Sequence, residues 1–185
     1  MRGESRTAVE GELEDRTPGA LAAIGTDAQR GVIVLPTYNE ALNLPHLVPR
    51  ILEHDGIDVI VVDDGSPDGT REIAESLAEE FAPRVTVINR ASKSGRGGAV
   101  MAGFHEALKG DYAWFGEMDA DQSHRPEELP ALIEALGRAD MVVGARYLPG
   151  GEIHGWPRRR KVWSRTSNAI IRRTLGVPMS DFTNG

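Results

Sequence analysis

Two carboxylates one residue apart, Asp119 and Asp121, close an apolar stretch at residues 112–118. Residues two apart on a strand point the same way, so the pair is expected to face one spot. Left alone, the two charges repel and one pKa rises. A divalent cation removes that conflict, and hard oxygen ligands suit Mg2+ or Mn2+. Such an ion would also neutralise a diphosphate leaving group. Asp-x-Asp by itself is common and is most often a solvated loop, so its weight comes from the company it keeps.

That company consists of further turns, each directly after an apolar run. Pro36-Thr37-Tyr38-Asn39-Glu40 follows the first run. A dinucleotide-binding fold places glycines there to admit a pyrophosphate, and a tyrosine and a carboxylate in their stead argue against a nicotinamide or flavin enzyme. Asp63-Asp64-Gly65-Ser66 follows the second run. Its carboxylates can accept from a nucleobase N–H or a ribose hydroxyl, although Asp, Gly and Ser are also ordinary turn formers, as Asp68-Gly69 are. Lys93 precedes Gly95-Arg96-Gly97-Gly98, and glycines ahead of a helix let backbone N–H groups face an anion. Most such glycine-rich turns are structural. Gly144-Ala145-Arg146-Tyr147 ends the last run, where an arginine is placed to grip a phosphate or simply to lie on the surface. His124 is a candidate ligand or base, or a cap ahead of Pro126.

The elements that must position these turns alternate. Short apolar runs at 32–35, 59–62, 85–88, 112–118 and 141–143 read as strands. Between them, Leu44, Leu47, Val48, Ile51 and Leu52 recur at helical spacing, with Asn43 as the expected N-cap and Pro49 as an internal irregularity. Ile73, Ala74, Leu77, Ala78 and Phe81 give a second helix face. The glycine-rich turn opens a third helix, to about Leu108, and Pro126 opens a fourth carrying Leu129, Leu132, Ile133 and Leu136. Strands alternating with helices predict an α/β fold with a mostly parallel sheet flanked by helices. Ligands of such sheets sit outside the carboxyl ends of the strands, where the turns above fall.

With 185 residues the chain is one domain's worth of polypeptide. Residues 1–30 are polar and aperiodic and are expected to form a loosely docked or disordered tail, leaving a domain over 31–185. The absence of cysteine excludes disulfides, thiolate metal sites and cysteine nucleophiles. A net charge of −7 excludes general nucleic-acid binding. The charge is unevenly spread, however. Between Ile153 and Ser180 there is no acidic residue, while Arg158, Arg159, Arg160, Lys161, Arg165, Arg172 and Arg173 all fall there. Trp156, Val162, Trp163, Ile170 and Ile171 interleave with them, the mixture of a surface helix at an anionic membrane. A plain solvated helix face is the simpler alternative. No apolar run approaches the ~20 residues of a bilayer span, so the expected location is the cytoplasm, peripherally at the membrane face.

Taken together, six stretches resemble the family-2 glycosyltransferases of the GT-A fold, and among them the dolichol-phosphate and polyprenol-phosphate mannose synthases. They are Leu35-Pro36-Thr37-Tyr38-Asn39-Glu40, Val62-Asp63-Asp64-Gly65-Ser66-Pro67-Asp68-Gly69-Thr70, Met118-Asp119-Ala120-Asp121, Ser123-His124-Arg125-Pro126, Gly144-Ala145-Arg146-Tyr147 and Ser180-Asp181-Phe182-Thr183-Asn184-Gly185. The resemblance implies that Pro36, Tyr38, Glu40, Val62, Asp64, Lys93, Gly95, Asp119, Ala120 and Asp121 bind a nucleotide-sugar donor, GDP-mannose. It implies that Asp119 and Asp121 carry Mg2+ or Mn2+, with Ser123 or Gln122 beside them. It assigns the phosphate of a polyprenol acceptor to Arg146, Arg160 and Ser164, and makes Asp121, Arg146 and Arg160 the catalytic set. The membrane surface would be met through the basic segment 158–173. The implied reaction is a single inverting displacement, in which an already ionised phosphate needs no strong general base. The family continues past the point where this chain stops, so a truncated domain is expected. Another sugar donor such as UDP-glucose, or a non-catalytic nucleotide-sugar binder, are the alternative readings. A nucleotidyltransferase is disfavoured because it needs a glycine-rich loop where Pro36-Thr37-Tyr38 stands.

Overall fold

The two most apolar stretches of the chain lie side by side at the centre of a sheet. The computed structural model describes residues 30–93, 95–145, 157–175 and 181. Its strands are β1 (Gly31–Thr37), β2 (Ile57–Asp63), β3 (Val85–Asn89) and β4 (Trp114–Glu117). All pair in parallel, in the order β3-β2-β1-β4. Both central strands are covered on both faces, which is why they read as unbroken apolar runs rather than as alternation.

Alternate side chains serve two cores. Ile33 and Leu35 of β1, with Ile57, Val59 and Val61 of β2, pack on one face. Against them lie α1 (Leu44–Leu52), α2 (Thr70–Glu80) and α4 (Leu129–Leu136), which a short 3-10 turn at Pro126–Glu128 introduces. Val32, Val34, Ile60 and Val62 face the other way, onto α3 (Arg96–Ala107). Contact on that face is close: a Cβ on Gly103 would stand 2.3 Å from Val34 Cγ1. The helix α5 (Arg158–Leu175) completes the described elements. Within it, the side chains of Arg158, Arg160, Lys161, Arg165, Arg172 and Leu175 lie outside the described set.

Several expectations need correction. Residues 141–143 form no strand: Met141 is 65% exposed and Val143 38%, and no described strand lies beside them to complete a ladder. Asn43 occupies the N-cap position of α1, but its backbone is helical and it makes no side-chain cap bond. Its amide donates to the Glu40 carboxylate instead (2.6 Å). Pro49 lies inside α1 as the pattern indicated, and the helix runs three residues beyond it to Leu52. Most importantly, β4 stops at Glu117, so Asp119 and Asp121 sit in the turn beyond it, where strand alternation does not apply.

Candidate functional site

Parallel strands ending on one edge bring their turns together. After β1 and β2 the chain is stitched across. The Asn39 N–H donates to Ser66 Oγ (3.0 Å), the Glu40 N–H to Thr70 Oγ1 (2.9 Å) and the Ala41 N–H to Asp68 Oδ2 (3.3 Å). Asp68 also accepts from the Thr70 N–H and hydroxyl. Burial works to raise the Asp68 pKa, yet these bonds outweigh it and hold the carboxyl below its ordinary value. Asp68, expected as turn chemistry alone, therefore fastens one site loop to the other. Asn39 takes a left-handed conformation (φ 63°), one that asparagine tolerates better than most residues.

The stitched loops wall a cleft of about 330 Å³. It is lined by the predicted Pro36, Tyr38, Glu40, Asp64, Lys93, Asp119, Ala120 and Asp121, and by Thr37, Arg96 and Ala99. The tandem aspartates have diverged. Asp63 turns inward, accepting the Ser66 N–H and hydroxyl as part of the turn. Asp64, only 3% exposed, takes Arg90 Nη1 at 2.6 Å and the Gly95 N–H at 2.9 Å. The glycine-rich turn thus receives an anion as expected, but one supplied by the chain itself. Lys93 Nζ stands 3.5 Å from the centroid of the Tyr38 ring, a cation–π contact on the cleft wall.

At the far wall the Asp119 N–H donates to His124 Nδ1 (3.0 Å), so His124 props the loop. The Ser123 N–H donates to Asp121 Oδ1 (2.9 Å), and Gln122 (φ 63°) reaches Asn43 Oδ1 (2.7 Å). Burial works to raise the Asp121 pKa, but the hydrogen bonds from the Ser123 hydroxyl and N–H prevail and hold it below the usual value. Asp121 is therefore a carboxylate at neutral pH. Asp119 Oδ1 accepts Arg96 Nε (2.9 Å) and Nη2 (2.6 Å), and Arg96 also pairs with Glu117. A cationic group is thus already seated against this carboxylate cluster. Among the described residues no group of three or more His, Cys, Asp or Glu converges as ligands. The protein would supply two hard carboxylates to a metal, and water and a diphosphate the rest. That donor set fits Mg2+ or Mn2+, which keep several non-protein ligands.

Other predicted residues stand apart. Val62 is fully buried in β2 beneath the cleft. Gly95 acts through its N–H on Asp64, and Ser123 through its N–H and hydroxyl on Asp121, and neither lines the cleft. Ser164 is buried on α5, 9% exposed, and is not among the cleft-lining residues. Arg146 lies outside the described residues, as does the Arg160 side chain. The residue that sequence reasoning passed over is Arg96. It stood inside a turn singled out for its glycines, and no spacing rule links it to Asp119, 23 positions on. Only the return of the chain from α3 into β4 joins them.

The chain is similar to known proteins. Its relatives include the polyprenol monophosphomannose synthase of Mycolicibacterium smegmatis, 47% identical over 161 residues that cover 85% of this chain and 60% of the relative. The undecaprenyl-phosphate mannosyltransferase of Micrococcus luteus is 45% identical over 159 residues, covering 84% of this chain and 64% of the relative. The chain thus spans less than two thirds of these relatives. The solved structure of the mannosyltransferase PcManGT from Pyrobaculum calidifontis, in complex with GDP-Man and Mn2+, is similar with a TM-score of 0.51 and 25% identity, over 60% of this chain and 33% of that one. The fold implied by the resemblance, a GT-A parallel sheet flanked by helices, is the one observed. The family model "Glycosyl transferase family 2" matches residues 32–185, from the first strand through every turn that lines the cleft, and the chain belongs to that family.

Proposed function

We propose that the protein transfers mannose from GDP-mannose to a polyprenol phosphate at the cytoplasmic membrane surface, with inversion at the anomeric carbon. The observation that carries this reading is the single cleft in which Tyr38, Glu40 and Asp64 meet Asp119 and Asp121. The mannosyltransferase relatives at 47% and 45% identity support the choice of sugar and acceptor class. In this reading the Tyr38 ring and the Glu40 and Asp64 carboxylates hold the nucleoside. Asp119 and Asp121 would hold a divalent cation, which offsets the charge of the departing diphosphate.

The chain's own work is to place the reactants and exclude water. An acceptor phosphate oxygen attacks the anomeric carbon, the bond from that carbon to the β-phosphate oxygen breaks, and GDP leaves with the electron pair. The phosphate is ionised at neutral pH, so positioning and charge do most of the work. Arg146, Arg160 and Ser164 are proposed to bind the acceptor phosphate, and the basic face of α5 to meet the membrane.

Calorimetry with GDP-mannose and UDP-glucose, each with and without Mn2+, tests the reading. Mn2+-dependent binding of GDP-mannose alone is expected. Preference for the UDP-sugar would replace the substrate, and undiminished Mn2+-dependent binding in Asp121→Asn would sink the proposed site.

A further inference from the structure

The cleft already contains a cation where the proposed metal would sit. Arg96 is the first residue of α3, set by Gly95 in a conformation (φ 94°) that favours glycine. Its guanidinium spans the carboxylates at the end of β4: Nε and Nη2 both reach Asp119 Oδ1, and Nη2 also pairs with Glu117. Each partner is partly open to solvent, with side chains 43% exposed for Arg96, 29% for Glu117 and 21% for Asp119. The contact is neither locked in a dry core nor loose on the surface. Both Arg96 bonds fall on one oxygen of Asp119, and a hard divalent ion requires an oxygen of this group. A guanidinium and a divalent cation cannot share that oxygen without strong repulsion. An ion on either Asp119 oxygen would stand within a few ångströms of the guanidinium, and that repulsion favours movement of the arginine away from the carboxylate. It stays rooted at the cleft wall on a long flexible stem, and a planar fork of donors is suited to a phosphate. The other cation of the cleft, Lys93, lies against the Tyr38 ring.

We propose that Arg96 is a displaceable counter-ion: it neutralises Asp119 and Glu117 in the metal-free protein, gives way to the divalent ion, and then pairs with the diphosphate of the donor. This rests on the metal and donor reading above. It makes Arg96 a positioning residue that couples the arrival of metal to the arrival of nucleotide.

The test compares wild type, Arg96→Gln, Arg96→Lys and Asp121→Asn, each first checked for an unchanged circular dichroism spectrum. Mn2+ is titrated without nucleotide and followed by the loss of the free-ion paramagnetic resonance signal. GDP is then titrated calorimetrically at saturating Mn2+. Arg96→Gln is expected to bind Mn2+ several-fold more tightly than wild type and GDP several-fold more weakly, with Arg96→Lys returning both toward wild type. A residue that only shaped the cleft would weaken both ligands together. Mn2+ affinity equal to or below wild type in Arg96→Gln, or unchanged GDP affinity, overturns the proposal. If Asp121→Asn still loses Mn2+ in that case, the metal reading survives and only the role of Arg96 falls. If wild type binds no Mn2+ with or without GDP, both fall together.

Discussion

Asp64 shows how a side chain can serve the fold and the cleft at once. It is nearly dry, and Arg90 and the Gly95 N–H are arranged around it. Removing one partner of a buried pair leaves the other charge uncompensated and costs about 3 kcal/mol at the low end of the usual range, which suits an Arg90 side chain still 22% exposed. Asp64→Asn is therefore expected to lower the melting temperature by roughly 10 °C, since a domain of this size moves about 3 °C per kcal/mol. A fall of only a degree or two in a thermal scan would show that water replaces the carboxylate. Asp68 makes a pH-dependent contribution of the same kind. Its folded-state pKa lies below the unfolded value, so the stability it adds is fully present above the unfolded pKa and disappears as pH falls through the folded one. Asp68→Ala should cost about 1 kcal/mol at pH 7, the net worth of a typical lost hydrogen bond. In urea melts the gap between mutant and wild type should close as pH drops below about 4. A gap that stays constant to pH 2.5 would contradict the stitching role.

Elements are held at the distances their smallest residues allow, and α3 tests this. Gly103 faces β1, where a methyl group would overlap Val34. Alanine gains about 1 kcal/mol of helix propensity over glycine, but overpacking of this kind costs about 1–3 kcal/mol, so Gly103→Ala is expected to destabilise. Gly97, in the first turn of the same helix, has nothing within 4 Å of where a Cβ would be, and Gly97→Ala should stabilise by roughly 0.5 kcal/mol. Opposite signs in chemical melts, with Val34→Ala easing the Gly103→Ala defect, are the expected pattern; two stabilising substitutions would mean that α3 can lift from the sheet at little cost. The same contrast explains what was legible in the sequence. β1 and β2 showed themselves because burial on both faces leaves a continuous apolar run. Their true ends did not, because Asp58, Asp63 and Thr37 are buried polar residues that hydropathy reads as loop. The run at 141–143 misled because an apolar triplet carries no information about a partner strand. In the site, the rule that ligands gather at strand ends placed Tyr38, Glu40, Asp64, Asp119 and Asp121 in one region. The Asp119–Arg96 pair and the bonds between the first two turns were hidden because side-chain pairing across loops follows tertiary geometry and has no period.

Across the whole molecule, charge is segregated by element. α5 carries seven of the 21 basic residues and none of the 28 acidic ones, so the rest of the chain is strongly negative. On α5, Ser164 and Asn168, one turn apart, are buried, and Asn168 Nδ2 donates to Asp181 Oδ1 at 3.0 Å. Arg159, Val162, Trp163, Thr166, Ala169, Ile170 and Arg173 are exposed, at the three- and four-residue spacing of one face. Trp163 is 73% exposed, Val162 62% and Ile170 57%, an apolar stripe beside basic residues. An acidic body is repelled by an anionic bilayer, so the proposed membrane encounter is expected to use this face, with each basic side chain near the surface contributing about 1 kcal/mol. In co-sedimentation, the protein is expected to bind vesicles containing anionic phospholipid and not neutral ones, and to be released progressively as salt rises, because screening shortens the reach of the charges. Charge and insertion separate by mutation. Arg159→Glu with Arg173→Glu should remove binding at low salt. Trp163→Ala with Ile170→Ala should leave the low-salt encounter in place but lower the salt concentration at which release occurs, since the inserted apolar area is what persists under screening. Binding that ignored both pairs would place the membrane contact elsewhere on the molecule.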